Sequence, residues 1–178
     1  MKETAIVLAL SVLTSLPLGA VEQYKVAMPA ASTLTRAPQA RPDDLFVHFR
    51  GQVTLHATYR FIYDQDSGYK SNPYLLLMPD EKALKSLPYL TERGRPELAN
   101  AIFVRNPMEA AKALLNEKLE AELQAGKHQE VSGLATVVID QFGAGYDCDS
   151  PSFVARFVSL EKVVVAAAAT PSLGKRGC

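Results

Sequence analysis

The sequence predicts a mainly β domain with one main α-helix, a small five-stranded barrel that follows a signal peptide and an extended arm. Three observations predict it. From Phe49 to Tyr63 apolar or small residues alternate strictly with polar ones, the period-two pattern of a strand with one buried and one wet face. A single amphipathic helix, opened by Asn106-Pro107-Met108-Glu109, interrupts an otherwise strand-like remainder. The first twenty residues have the layout of a secretory leader.

The leader comprises a short charged start, Lys2 and Glu3, an apolar core from Ala5 to Leu16, and small residues at Gly19 and Ala20. Pro17 ends its helical part, and cleavage is expected after Ala20, making residues 1–20 the signal peptide. Roughly a dozen apolar residues fall short of the ~20 that span a bilayer, so a cleaved leader is favoured over an anchor. No later apolar run reaches membrane length, and the mature chain is expected to have no transmembrane segment. Localisation would then be periplasmic or secreted.

The full chain carries 19 basic and 19 acidic residues. Removing the leader takes away one of each and leaves the balance unchanged. Nucleic acid is excluded as a partner on this ground, because neutralising phosphates requires an excess of Lys and Arg. The mature length suffices for one domain with a real core.

Residues 21–44 are rich in proline and alanine without sustained periodicity, and read as an extended arm or linker. The folded domain is expected over residues 45–165, with 166–178 as a flexible tail. Its first strand, at ~3.3 Å per residue, would be roughly 50 Å long if straight. It must bend, and Gly51 is the natural place for a bulge. A turn-rich stretch from Asp64 to Pro73 follows, then a strand from Tyr74 to Met78. Asp80 can cap a turn or two of helix through Leu87. A charged loop, Glu92 to Asn100, leads to a third strand at Ala101 to Arg105.

At the main helix Asn106 is the N-cap, Pro107 the first helical residue and Glu109 completes a capping box. The helix is expected to run to about Ala125 and to stop at Gly126. Met108, Ala111, Leu115, Leu119 and Leu123 form its buried stripe, opposite Lys112, Asn116, Glu120 and Gln124. Two further strands, Glu130 to Phe142 and Ser152 to Val165, flank the segment Gly143 to Pro151.

The element order is therefore strand, strand, strand, helix, strand, strand. With a long bent first strand and the helix between the third and fourth, it resembles the OB-fold, a five-stranded Greek-key barrel. The resemblance lies in element order and implies that the loops 64–73 and 143–151, with the faces of strands two and three, form the ligand surface. Tyr69, Lys70 and Asn72 in one loop and Tyr146, Asp147 and Asp149 in the other are the candidate binding residues. Tyrosine beside short polar groups suits a protein, peptide or glycan partner.

Cys148 stands between Asp147 and Asp149, whose negative charges disfavour a reactive thiolate. Three fates stay open: a disulfide with Cys178, a free buried thiol, or pairing with another chain. The intramolecular bond would close a loop of about 30 residues and stabilise by roughly 3 kcal/mol. The segment Asp64-x-Asp66-x-Gly68 lacks the later ligands of a calcium loop and reads as turn chemistry. His48 and His56 lie roughly 26 Å apart along a straight strand and cannot share a metal, so no metal site and no cofactor is expected. No nucleophile elbow, zinc-protease, phosphate-loop or dinucleotide glycine pattern occurs.

No catalytic residue is therefore assigned, and the sequence points to an exported non-catalytic binding or interaction module of the bacterial periplasm or cell envelope. The alternatives are a metal-dependent hydrolase using the aspartates of the two loops, or a structural accessory subunit docking through residues 21–44.

Overall fold

The computed structural model describes residues 24–39, 41, 44–62 and 73–171. The expected signal peptide, the candidate residues Tyr69, Lys70 and Asn72, and Cys178 lie outside them. The described chain is mainly β. It comprises β1 (Val26–Ala27), β2 (Thr35–Arg36), β3 (Phe46–Arg50), β4 (Gln52–Ile62), β5 (Tyr74–Pro79), β6 (Tyr89–Leu90), β7 (Ile102–Val104), β8 (His128–Asp147) and β9 (Ser150–Pro171). Between them stand three short helices, α1 (Glu81–Leu84), α2 (Pro107–Leu114) and α3 (Glu117–Gln124).

The strands form a partly closed sheet. β4 pairs with β5, β5 with β7, β7 with β9, β9 with β8, and β8 back with β4. The β7–β9 pair is parallel and the other four are antiparallel. No helix among the described residues is long and apolar enough to cross a membrane.

Period-two alternation translates directly into burial along β4. Val53, Leu55, Ala57, Tyr59 and Phe61 are buried, while Gln52 and Thr54 are exposed and His56, Thr58 and Arg60 partly so. Facing them inside the sheet are Leu75, Leu77, Ile102, Val131, Val137, Ile139, Phe153 and Phe157. Gly51 separates β3 from β4 with φ +107°, a value L side chains rarely adopt, and a Cβ there would lie 3.2 Å from the Thr33 carbonyl oxygen. The expected bend is thus a glycine bulge with the arm packed against it.

The arm is extended, and it is held to the domain. β1 pairs with β6, β2 pairs with β3, and Leu34 is buried in the core. Three further expectations are corrected. The main helix is two helices, because Leu115 is extended and the Asn116 side chain accepts the Leu119 N–H at 2.9 Å, starting α3 afresh. Ala111, Leu115 and Leu123 are buried, whereas Met108 and Leu119 are only partly so. β9 continues past Val165 to Pro171, paired with His128 to Leu134 of β8, where a frayed tail was expected.

The third correction is the segment Gly143 to Pro151, which is strand except at Cys148 and Asp149. Gly143 to Gly145 pair with β3 on one side and with β9 on the other. The glycines are there for closeness. A Cβ on Gly145 would strike the Leu45 carbonyl, and one on Gly143 would come within 2.8 Å of Val154 Cγ2. Turn-like composition here reflects backbone approach between neighbouring strands.

Pairing between β8 and β9 is interrupted by register shifts at several points, including Leu134/Ala135 and Thr136/Val137. Such bulges break the inside–outside alternation. They account for the exposure of three consecutive residues, Val163, Val164 and Val165.

Candidate functional site

At the β8–β9 hairpin the chain reverses through Cys148 and Asp149, with φ of 45° and 64°. Positive φ at both central residues matches the right-handed twist of the flanking strands. Cys148, Asp147 and Asp149 are exposed. Tyr146 is only 7 % exposed, and its hydroxyl donates to the Glu97 carboxylate, itself buried. Burial, with the Glu97 hydrogen bond second, pushes the Tyr146 phenol up to about 12.

The ring of Tyr146 packs against Tyr24 of the arm at a centroid distance of 5.0 Å, and the Arg93 guanidinium lies 5.2 Å from its centre. Arg93 also donates to the Asp149 carbonyl oxygen and stands 4.0 Å from Glu97. The arm is fixed at this point by the Thr91 N–H, which donates to the Lys25 carbonyl at 2.9 Å. Thus Tyr146 is a clamp between arm, loop and hairpin, and the side chains it leaves facing solvent here are those of Asp147, Cys148 and Asp149. Tyr24, Arg93 and Glu97 were missed in the sequence because a charged, glycine-bearing loop gives no periodicity by which to place it.

The outer face of β5 and β7 presents two aromatic rings to solvent. Tyr74 is 38 % and Phe103 45 % exposed, with ring centroids 6.3 Å apart and planes inclined by 39°. Register places Phe103 between Leu76 of β5 and Val154 of β9. The face is bordered on both sides by paired charges. Arg60, opposite Leu76, binds both carboxylate oxygens of Glu130, its Nε at 2.8 Å. Arg156 binds both oxygens of Asp140, at 2.9 and 2.6 Å. The Arg60 hydrogen bond holds the Glu130 carboxyl below its usual range.

An open cleft of about 490 Å³ lies between α1 and the outer side of β4 and β8, lined among others by Thr54, His56, Asp80, Lys82 and Thr136. His56 Nδ1 meets Asp80 Oδ2 at 3.2 Å, and the other oxygen of Asp80 accepts the Ala83 N–H at 2.7 Å, capping α1 as expected. That backbone hydrogen bond, more than His56, lowers the Asp80 pKa. Ser86 Oγ donates to the Ala83 carbonyl at 2.7 Å, so the hydroxyl is engaged by backbone and not by the histidine. His48 and His128 likewise contact carboxylates, Asp44 at 2.8 Å and Glu122 at 2.9 Å. Among the described residues no group of three or more His, Cys, Asp or Glu could hold a metal ion.

No family model, no curated protein and no solved structure matches this chain.

Proposed function

We propose that the chain is an exported, non-catalytic binding module of the bacterial periplasm or cell envelope, built as an OB-like barrel. Its ligand, a protein, peptide or glycan, would lie on the outer face of β5 and β7. Support for the barrel comes from the pairing order of β4, β5, β7, β8 and β9, in which the third and fifth of them, β7 and β9, run parallel and the other neighbours antiparallel, with α2 and α3 between β7 and β8. Barrels of that type bind on the face of strands two and three, flanked by the loops after strands one and four. Those loops correspond here to residues 64–73, with Tyr69, Lys70 and Asn72, and to the hairpin of Tyr146, Asp147 and Asp149.

The observation that carries this function is the exposed Tyr74–Phe103 pair. Two large rings side by side in water are stable only because their strands are fixed by neighbours, and such a patch gains free energy when covered. The test is a pull-down from the cell envelope with the wild-type chain and with a Tyr74→Ser/Phe103→Ser variant. A captured partner or glycan fraction should be lost in the variant; equal capture by both would remove the face as the binding site.

A further inference from the structure

The chemistry around the Tyr74–Phe103 pair selects among ligands. β5 and β7 each have a strand on both sides, so neither offers an edge on which an extended peptide could add a strand. Two arginines bordering the rings, Arg60 and Arg156, are each bound to a carboxylate through two hydrogen bonds; a third, exposed Arg105 two residues beyond Phe103, acts on the Asp44 charge, and the chain as a whole is neutral. A polyanion such as a nucleic acid would have to break those pairs to be neutralised.

What the face does offer is an apolar platform of two rings inclined to each other by 39°, with an arginine–carboxylate pair at either side. Arg60 and Arg156 are 37 and 47 % exposed, and Glu130 and Asp140 24 and 15 %. Each pair keeps unspent guanidinium N–H donors and carboxylate lone pairs, since a guanidinium has five donors and a carboxylate about four acceptor sites. A ligand with an apolar face, a rim of hydroxyls that both donate and accept, and no charge fits this arrangement. Those are the properties of a pyranose ring.

We propose that this face binds an uncharged oligosaccharide, two successive rings stacking on Tyr74 and Phe103 while their hydroxyls bond to the Arg60–Glu130 and Arg156–Asp140 pairs. The assignment rests on the outer face of β5 and β7 being the ligand surface, and it names the class of ligand.

Titration of the protein with cellotetraose, chitotetraose and maltotetraose, followed by calorimetry and by tyrosine fluorescence in this tryptophan-free chain, tests it. At least one should saturate, with an affinity unchanged between low and high salt, because no net charge is neutralised. Phe103→Ala should weaken that binding by about tenfold or more, while Phe103→Tyr, which keeps the platform, should retain it. Both side chains are exposed, and an unchanged melting temperature confirms that the variants fold.

Failure of all three saccharides to saturate, binding undiminished in Phe103→Ala, or binding that falls steeply with salt would overturn the assignment. If the saccharides fail while an envelope partner is still captured in a Phe103-dependent manner, the ligand class falls and the binding face stands. If neither depends on Phe103, both fall.

Discussion

The Tyr146 hydroxyl donates to the buried carboxylate of Glu97, and together with Arg93 this contact ties the β8–β9 hairpin to the loop that follows β6. Removing the hydroxyl leaves a buried carboxylate with only Arg93 nearby, at 4.0 Å. Tyr146→Phe should therefore destabilise by about 1–3 kcal/mol, read as a lowered denaturant midpoint with unchanged slope. The pH dependence has a definite sign. Burial, with the Glu97 hydrogen bond second, pushes the phenol up to about 12 in the folded chain from an ordinary 10.0, so its contribution is complete below the unfolded value and is lost as pH rises through the folded one. Wild type should lose stability between these two pH values more steeply than Tyr146→Phe, and absorbance titration of the variant should show one late tyrosinate fewer than wild type.

Asn106 stands at the start of α2, yet its side chain does not cap the helix backbone. Its amide donates to the Phe157 carbonyl at 2.9 Å and its oxygen accepts the Phe157 N–H at 2.8 Å, replacing a strand where β7 has ended. Asn106→Ala leaves both backbone groups without that partner and should cost about 1–3 kcal/mol. The amide also donates to the Glu109 carboxylate at 2.6 Å, so Asn106→Asp keeps the acceptor but sets a carboxylate against Glu109 and the Phe157 carbonyl, and should also melt below wild type. Thermal melts of the three proteins decide it, and an alanine variant as stable as wild type would contradict the bridging role.

The hairpin turn places two L side chains in the left-handed region, at Cys148 and Asp149. Asparagine and glycine adopt that backbone with less strain. Cys148→Asn/Asp149→Gly should raise stability by about 1 kcal/mol. The bond from Arg93 reaches the Asp149 carbonyl oxygen, so the substitution spares it, and a lower melting point would show that the side chains matter for another reason.

Tyr59 is fully buried opposite Gly133, and its hydroxyl has no hydrogen-bond partner among the described residues. Burial alone raises its pKa. Tyr59→Phe removes an unpartnered polar group and should leave stability equal or higher by about 1 kcal/mol. Gly133→Ala does the opposite: its Cβ would fall 2.9 Å from Tyr59 Cε1, an overpacking that costs about 1–3 kcal/mol. Combining Gly133→Ala with Tyr59→Leu should recover part of the loss, since the ring it strikes is gone.

Local chemistry was legible in the chain. The alternation from Val53 to Phe61 carries through to burial residue by residue, Gly51 bends the first strand at positive φ, Asp80 caps α1, and Pro107 opens α2. Each depends on one residue and its near neighbours, through a period, a dihedral preference or a single hydrogen bond. The candidate binding residues were legible only as loop composition, and Tyr146 turned out to spend its hydroxyl on Glu97, a residue 49 positions away.

Tertiary structure alone decided the rest. In Ile102-Phe103-Val104 three apolar residues follow one another, and nothing local says that Phe103 is the one turned to water beside Tyr74. Glycines at 143 and 145 look like a turn until β3 and β9 close on either side of them. The reason is the same in both cases. Secondary structure follows from short-range sterics and spacing, whereas which strand becomes a neighbour, and therefore which face is covered, depends on contacts between residues far apart in the chain.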